Sequence, residues 1–144
     1  MQIVKLPTLT LLVALFSASL HADTDRLDKA LIMVNSGSLE TQAMAMVLGN
    51  AIQGQGAQVD VLLCDAGARL ALTETDSNKL KPADVTPEQL MLKLQAGGAN
   101  IAVCALFLPN SGKVQADLRP GINVAKPPMI AKKMMEGATR VFVY

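Results

Sequence analysis

Residues 29–64, KALIMVNSGSLETQAMAMVLGNAIQGQGAQVDVLLC, decide the fold of this chain. The stretch begins with an apolar run at residues 29–34, and the turn residues Asn-Ser-Gly-Ser follow it. A short run that is apolar throughout and is bounded by turn residues predicts a strand buried on both faces. Ser38 is suited to cap a helix over about residues 39–53, and residues 58–64 repeat the pattern of a buried strand. Together these signals predict a β-α-β unit with two parallel strands.

The same alternation continues to the end of the sequence. Residues 86–89, TPEQ, predict the start of a second helix, because Thr can cap, Pro suits the first turn and Gln can complete a capping box. Residues 101–108, IAVCALFL, predict a third strand that ends before Pro-Asn-Ser-Gly. A fourth strand is predicted at residues 122–124, a helix starting near Pro127, and a last strand at residues 140–144. We therefore expect a single α/β domain with a parallel sheet covered by helices on two sides.

The first 22 residues have the pattern of a cleavable signal peptide. Lys5 provides a positive charge, residues 9–16 (LTLLVALF) provide a short apolar core, and residues 17–22 (SASLHA) provide small residues before a polar stretch. The apolar core is too short to span a bilayer, so we expect no stable membrane anchor. The sequence predicts a signal peptide at residues 1–22, a mature domain at residues 23–144, and a periplasmic or secreted location.

The composition of the mature domain disfavours several classes of function. The whole chain has 12 acidic residues and 13 Lys and Arg residues, and Lys5 lies in the predicted leader, so the mature domain is formally neutral. A neutral surface argues against nucleic acid as a partner, because binding to phosphates needs concentrated positive charge. His21, the sole histidine, also lies in the leader. We expect no metal site and no cofactor in the mature domain, and no histidine base.

Two cysteines are the candidate functional residues. Cys104 lies in the predicted third strand, and Cys64 follows the second. Ligands of parallel α/β sheets bind beyond the carboxyl ends of the strands, where we expect residues 35–38, 64–67 and 104–112 to converge. The alternative interpretation is that a cysteine in an apolar strand is an inert core residue.

The order of the segments resembles the DsrE/DsrF-like group of sulfur-relay proteins, from about Lys29 to Tyr144. The resemblance is carried by residues 35–56, QVDVLLCDAGARLAL (58–72), TPEQL (86–90), GGANIAVC (97–104), PGINVA (120–125) and RVFVY (140–144). It implies a three-layer α/β/α sandwich with a mainly parallel sheet of about five strands. It also implies assembly as a homotrimer or hexamer.

The resemblance implies that Cys104 carries sulfur as a persulfide, in exchange with a sulfur donor or acceptor protein. Any enzymatic activity would then be sulfurtransferase-like. Such chemistry needs a thiolate, which nearby cations such as Lys113 or Arg119 could favour. The alternative is that both are solvated surface cations. Asp65 disfavours a thiolate at Cys64, which makes Cys64 the weaker candidate.

Two other functions remain open at this point. The protein could be a non-catalytic oligomeric binding or structural module, with inert or disulfide-bonded cysteines, or a redox module that cycles Cys64 and Cys104 between dithiol and disulfide. Under the sheet order that the family implies, we expect the two Cα atoms within about 10 Å of each other. A disulfide is possible but not favoured, because side chains on adjacent parallel strands project side by side.

Overall fold

The computed structural model describes residues 28–144, so the predicted leader at residues 1–22, with His21, lies outside the described residues. Five strands form one sheet in the order β4-β3-β2-β1-β5, and every neighbouring pair is parallel. The strands are β1 (Lys29–Val34), β2 (Gln58–Leu63), β3 (Asn100–Val103), β4 (Asn123–Val124) and β5 (Thr139–Val143). The helices are α1 (Leu39–Gly54), α2 (Pro87–Ala96), α3 (Phe107–Ser111) and α4 (Pro127–Met135), and 3₁₀ segments cover Asp65–Ala71 and Gln115–Asp117.

Local signals start the two long helices where the sequence predicts. The Ser38 hydroxyl accepts a hydrogen bond from the Thr41 backbone N–H at the start of α1. At the start of α2, the Thr86 hydroxyl accepts from the Gln89 N–H, and the Gln89 side chain accepts from the Thr86 N–H. Each cap satisfies backbone donors that have no partner within the helix.

The sheet separates two apolar layers of unequal size. Alternate residues of each strand face opposite sides, so that Ile32 packs against α1 and α2 while Leu31 faces α4. The α1 side holds most of the buried core, including Met46, Met91 and Leu94. On the α4 side, the buried cluster consists of Leu31, Leu62 and Ala125. The fold is thus the expected α/β/α sandwich.

The prediction for the third strand is wrong in its extent. We expected a strand over residues 101–108, but β3 ends at Val103 and the chain turns, with the Phe107 N–H donating to the Cys104 carbonyl at 3.0 Å. Pro109 lies in the first turn of α3, where a backbone N–H is not required. Gly112 closes the helix with φ +67°, a conformation that glycine adopts without strain. The apolar run 105–108 resembles a strand in sequence, but it forms a turn and the start of α3, from which Phe107 and Leu108 pack on the core.

Within residues 28–144, no helix is both long and apolar enough to cross a membrane.

Candidate functional site: the Cys64–Cys104 pair

The two cysteines lie side by side at the carboxyl edge of the sheet. Leu63 and Val103 are register partners on β2 and β3, and each cysteine is the next residue along its chain. The backbone N–H of Cys104 donates to the Leu63 carbonyl at 2.8 Å, which continues the ladder by one bond beyond the strands. The two Cα atoms are 5.1 Å apart, and the sulfurs are joined in a disulfide.

The disulfide corrects one expectation and confirms another. The Cα separation agrees with the predicted proximity of the cysteines, but the expectation that the pair would not favour a bond is wrong. That expectation placed Cys104 inside a regular strand, where neighbouring side chains project in parallel. Because β3 ends at Val103, Cys104 belongs to a turn and is free of the pleat. Matched register also puts both side chains on the same face of the sheet.

The segments after β1, β2 and β3, which were expected to converge, meet at this edge. The Gly67 N–H donates to the Asn35 carbonyl at 3.3 Å, so the turns after β1 and β2 are in contact. Gly67 itself packs so closely on the carbonyl of Val34 that an added Cβ would overlap it. This close approach holds Cys64 against the end of β1. The backbone N–H of Cys64 donates to the Val34 carbonyl at 2.9 Å.

A cavity of about 500 Å³ borders both cysteines. Besides the disulfide, its lining includes Asp65 and Arg69 from the 3₁₀ segment, and Leu106 and Phe107 from the turn into α3. Leu106 is 75% exposed, so its apolar side chain is open to solvent at this cavity. Both sulfur-bearing residues are partly exposed, so small molecules can reach the pair from this side.

Arg69 is the cation that sequence reasoning missed. It lines the cavity, and among residues 28–144 no hydrogen bond or ion pair engages its guanidinium. A guanidinium without a partner beside two sulfurs can stabilise a thiolate. Its position five residues after Cys64, on the segment that continues from β2, was the signal available in the sequence.

The cations proposed from the sequence are engaged elsewhere. Lys113 forms an ion pair with Glu74 at 2.7 Å, and the hydrogen bond to Glu74 raises the pKa of Lys113 above its ordinary value. Arg119 donates to the backbone carbonyls of Leu70 and Thr75, which fixes the chain after the 3₁₀ segment. Neither side chain lines the cavity at the disulfide, so the structure does not place either cation beside Cys104.

A second cavity, of about 240 Å³, borders Cys104 but not Cys64. Its walls come from Leu62 on β2, Ala125 after β4, and Pro127, Ile130, Ala131 and Met134 of α4. Almost all of this lining is apolar. Cys104 therefore lies between two cavities. It shares one, which Asp65 and Arg69 also line, with Cys64, and it does not share the apolar one.

Comparison with known proteins supports the fold and does not supply a function. No family model and no curated protein matches the chain. Among solved structures, the ychN protein from E. coli matches with a TM-score of 0.69 and 16% identity, over 81% of this chain and 99% of that one. A protein of unknown function from Methanobacterium thermoautotrophicum, MTH1491, matches with a TM-score of 0.61 and 14% identity, over 81% of this chain and 98% of that one. The chain therefore has an α/β fold of the DsrE/DsrF-like type.

Proposed function

We propose that this protein is an exported thiol protein that carries sulfur as a persulfide on Cys104, with Cys64 as the partner thiol. The observation that supports this most directly is the 5.1 Å Cα separation of two cysteines beside an accessible cavity. The periplasmic or secreted location rests on the signal-peptide pattern of residues 1–22. N-terminal sequencing of the exported protein tests that location, and the expected first residue is Asp23.

The loading step is a transfer of sulfane sulfur to the reduced protein. The Cys104 thiolate attacks a terminal sulfur of an inorganic polysulfide, a bond forms between Cys104 Sγ and that sulfur, and the shortened polysulfide leaves with the electron pair. Atoms and charge balance without an oxidant. Arg69 adds positive charge to the cavity in which these anions meet.

Mass spectrometry of the reduced protein tests the proposal. After treatment with polysulfide under argon, we expect a gain of about 32 Da, the mass of one sulfur atom, on the peptide that contains Cys104. Cys104→Ser should abolish the gain on that peptide. A reduced and correctly folded protein that gains no sulfur would overturn the carrier function.

A dithiol–disulfide redox module is the second candidate, because the bond between Cys64 and Cys104 favours it directly. Its function would be to exchange two electrons with a dithiol substrate rather than to carry sulfur. Incubation of the oxidised protein with a reduced dithiol protein distinguishes the two. Rapid reduction together with absence of polysulfide loading would favour the redox module, whereas inertness in both assays would favour the non-catalytic binding module.

We also propose that a second copy of the chain is a partner, in a trimer or hexamer. Supporting this, α1 presents an apolar stripe to solvent that consists of Met44, Val47 and Leu48, which are 53%, 46% and 40% exposed. Their spacing places them on one face of the helix, opposite its buried face. Sedimentation is expected to show an oligomer that Val47→Lys weakens. A monomer at micromolar concentration would contradict the proposal.

A further inference from the structure

The surroundings of the two sulfurs differ in a way that determines which of them can be attacked. A sulfur nucleophile approaches a disulfide in line with the bond, from the side opposite to the sulfur that leaves. The sheet order is β4-β3-β2-β1. Attack on Cys104 therefore comes from the β4 side, and attack on Cys64 comes from the β1 side.

The β4 side of Cys104 is open. The 240 Å³ cavity extends to this side and lies over Cys104, between Leu62, Ala125 and α4. Ala125 follows β4, and its N–H donates to the Val103 carbonyl at 2.8 Å, which places it next to Cys104 across the sheet. Hydrosulfide is small enough to occupy this cavity with space remaining.

The β1 side of Cys64 is occupied by backbone. The Cys64 N–H bonds to the Val34 carbonyl, and Gly67 packs directly on the same carbonyl. The apolar cavity, by contrast, borders Cys104 and does not border Cys64. Access thus selects Cys104 as the sulfur that is attacked.

We propose that the oxidised protein accepts hydrosulfide, which opens the disulfide by attack on Cys104 from the apolar cavity. This inference rests on the proposed function, because its product is the same Cys104 persulfide. A bond forms between the incoming sulfur and Cys104 Sγ, and the bond to Cys64 Sγ breaks. The electron pair goes to Cys64, which takes up the proton that the hydrosulfide carried. The disulfide supplies the oxidation that turns sulfide into sulfane sulfur, so no further oxidant enters.

Arg69 can assist this opening without setting its direction. It lines the 500 Å³ cavity that borders both cysteines, so it is near Cys64 when that sulfur leaves. Departure of a thiolate is faster when a neighbouring cation stabilises it. Asp65, also on that cavity, opposes the effect, so removal of Arg69 leaves the carboxylate without compensation.

The apolar lining also predicts selectivity among thiols. Glutathione carries two carboxylates and an ammonium group, and desolvating them against Ala125, Pro127 and Ile130 is unfavourable. Hydrosulfide carries one charge on the reacting atom and no other polar group. We expect the protein to react faster with hydrosulfide than with glutathione at equal thiolate concentration.

The test uses the oxidised full-length protein under argon with one equivalent of sodium sulfide, followed by rapid alkylation and peptide mapping. We expect the protein to gain about 34 Da before alkylation, the mass of hydrogen sulfide, with the extra sulfur on the Cys104 peptide. The Cys64 peptide should carry a simple alkylated thiol. Extra sulfur on Cys64, or a disulfide that stays closed, would overturn the inference.

Variants separate the proposed route from general reactivity. Ala131→Met fills the apolar cavity from an exposed position on α4 and should slow opening several-fold, while Ala96→Met, exposed on α2, should not. Arg69→Gln should slow it about threefold, because loss of the neighbouring cation makes the Cys64 thiolate a poorer leaving group. Lys93→Gln on α2 is the matched control for charge. Equal rates for Ala131→Met and the unmodified protein would refute the approach from this cavity.

The two proposals fail separately. Polysulfide loading of the reduced protein tests the carrier function and does not involve the disulfide. If loading succeeds while sulfide leaves the oxidised protein unchanged, the carrier function stands and this inference is wrong. If sulfide opens the disulfide on Cys104 but polysulfide loads nothing, this step stands and the transfer of sulfur from polysulfide to the reduced protein is wrong.

Discussion

Reduction of the Cys64–Cys104 disulfide should lower the free energy of unfolding by about 4 kcal/mol. The bond joins residues 40 apart in the sequence, and the entropy that a closed loop of this length removes from the unfolded chain corresponds to about 4 kcal/mol at 25 °C. Both cysteines are partly exposed, so their reduction leaves no buried void that would add to the loss.

Urea denaturation with and without a phosphine reductant measures this effect. With a slope of about 2 kcal/mol per molar urea, the midpoint should fall by about 2 M on reduction. The Cys64→Ala, Cys104→Ala double variant should unfold near the reduced midpoint and should not respond to reductant. A shift below about 0.5 M in the native protein would refute the loop-closure reasoning.

Three further predictions concern the framework around the pair. Gly67→Ala places a Cβ against the Val34 carbonyl and should lower the free energy of unfolding by about 1–3 kcal/mol. An unchanged midpoint in urea denaturation would refute the close approach. Thr86→Ala removes the hydroxyl that accepts from Gln89 and should lower stability by about 1 kcal/mol; Thr86→Ser should restore most of it. Lys29 bonds to Glu136 at 2.9 Å and holds the pKa of that carboxyl below its ordinary 4.5. The stabilisation is therefore present above pH 4.5 and is lost as pH falls through the lowered pKa. In thermal unfolding, the stability difference between the native protein and Lys29→Gln should disappear as pH falls over that range. A difference that does not depend on pH would contradict a stabilising role for the Lys29–Glu136 ion pair.

Local signals predicted most of the framework. The strand at Lys29–Val34 and the helix starts at Ser38 and Thr86 appear where the sequence places them, because each depends on residues within one turn or one strand. The parallel arrangement followed from strands that are apolar on both faces.

Features that depend on tertiary register could not be predicted. The sheet order that the resemblance implies predicted that Cys64 and Cys104 lie near each other. The exact pairing of Leu63 with Val103, which lets them bond, is specified by nothing in either segment. The extent of β3 was wrong because an apolar run such as residues 101–108 can serve as strand or as helix. Arg69 was missed because its relation to the sulfurs depends on how the 3₁₀ segment turns back after β2.

Because the two layers of the sandwich are unequal, the free energy of local unfolding differs between its two faces. Within residues 28–144, α4 contains no buried residue, whereas α1 contains five. Segments with few buried contacts open at a lower free energy than the core. Amide protons of α4 should therefore exchange with solvent sooner than those of α1. Because α4 forms one wall of the cavity beside Cys104, each such opening uncovers that sulfur while β2 and β3 remain paired.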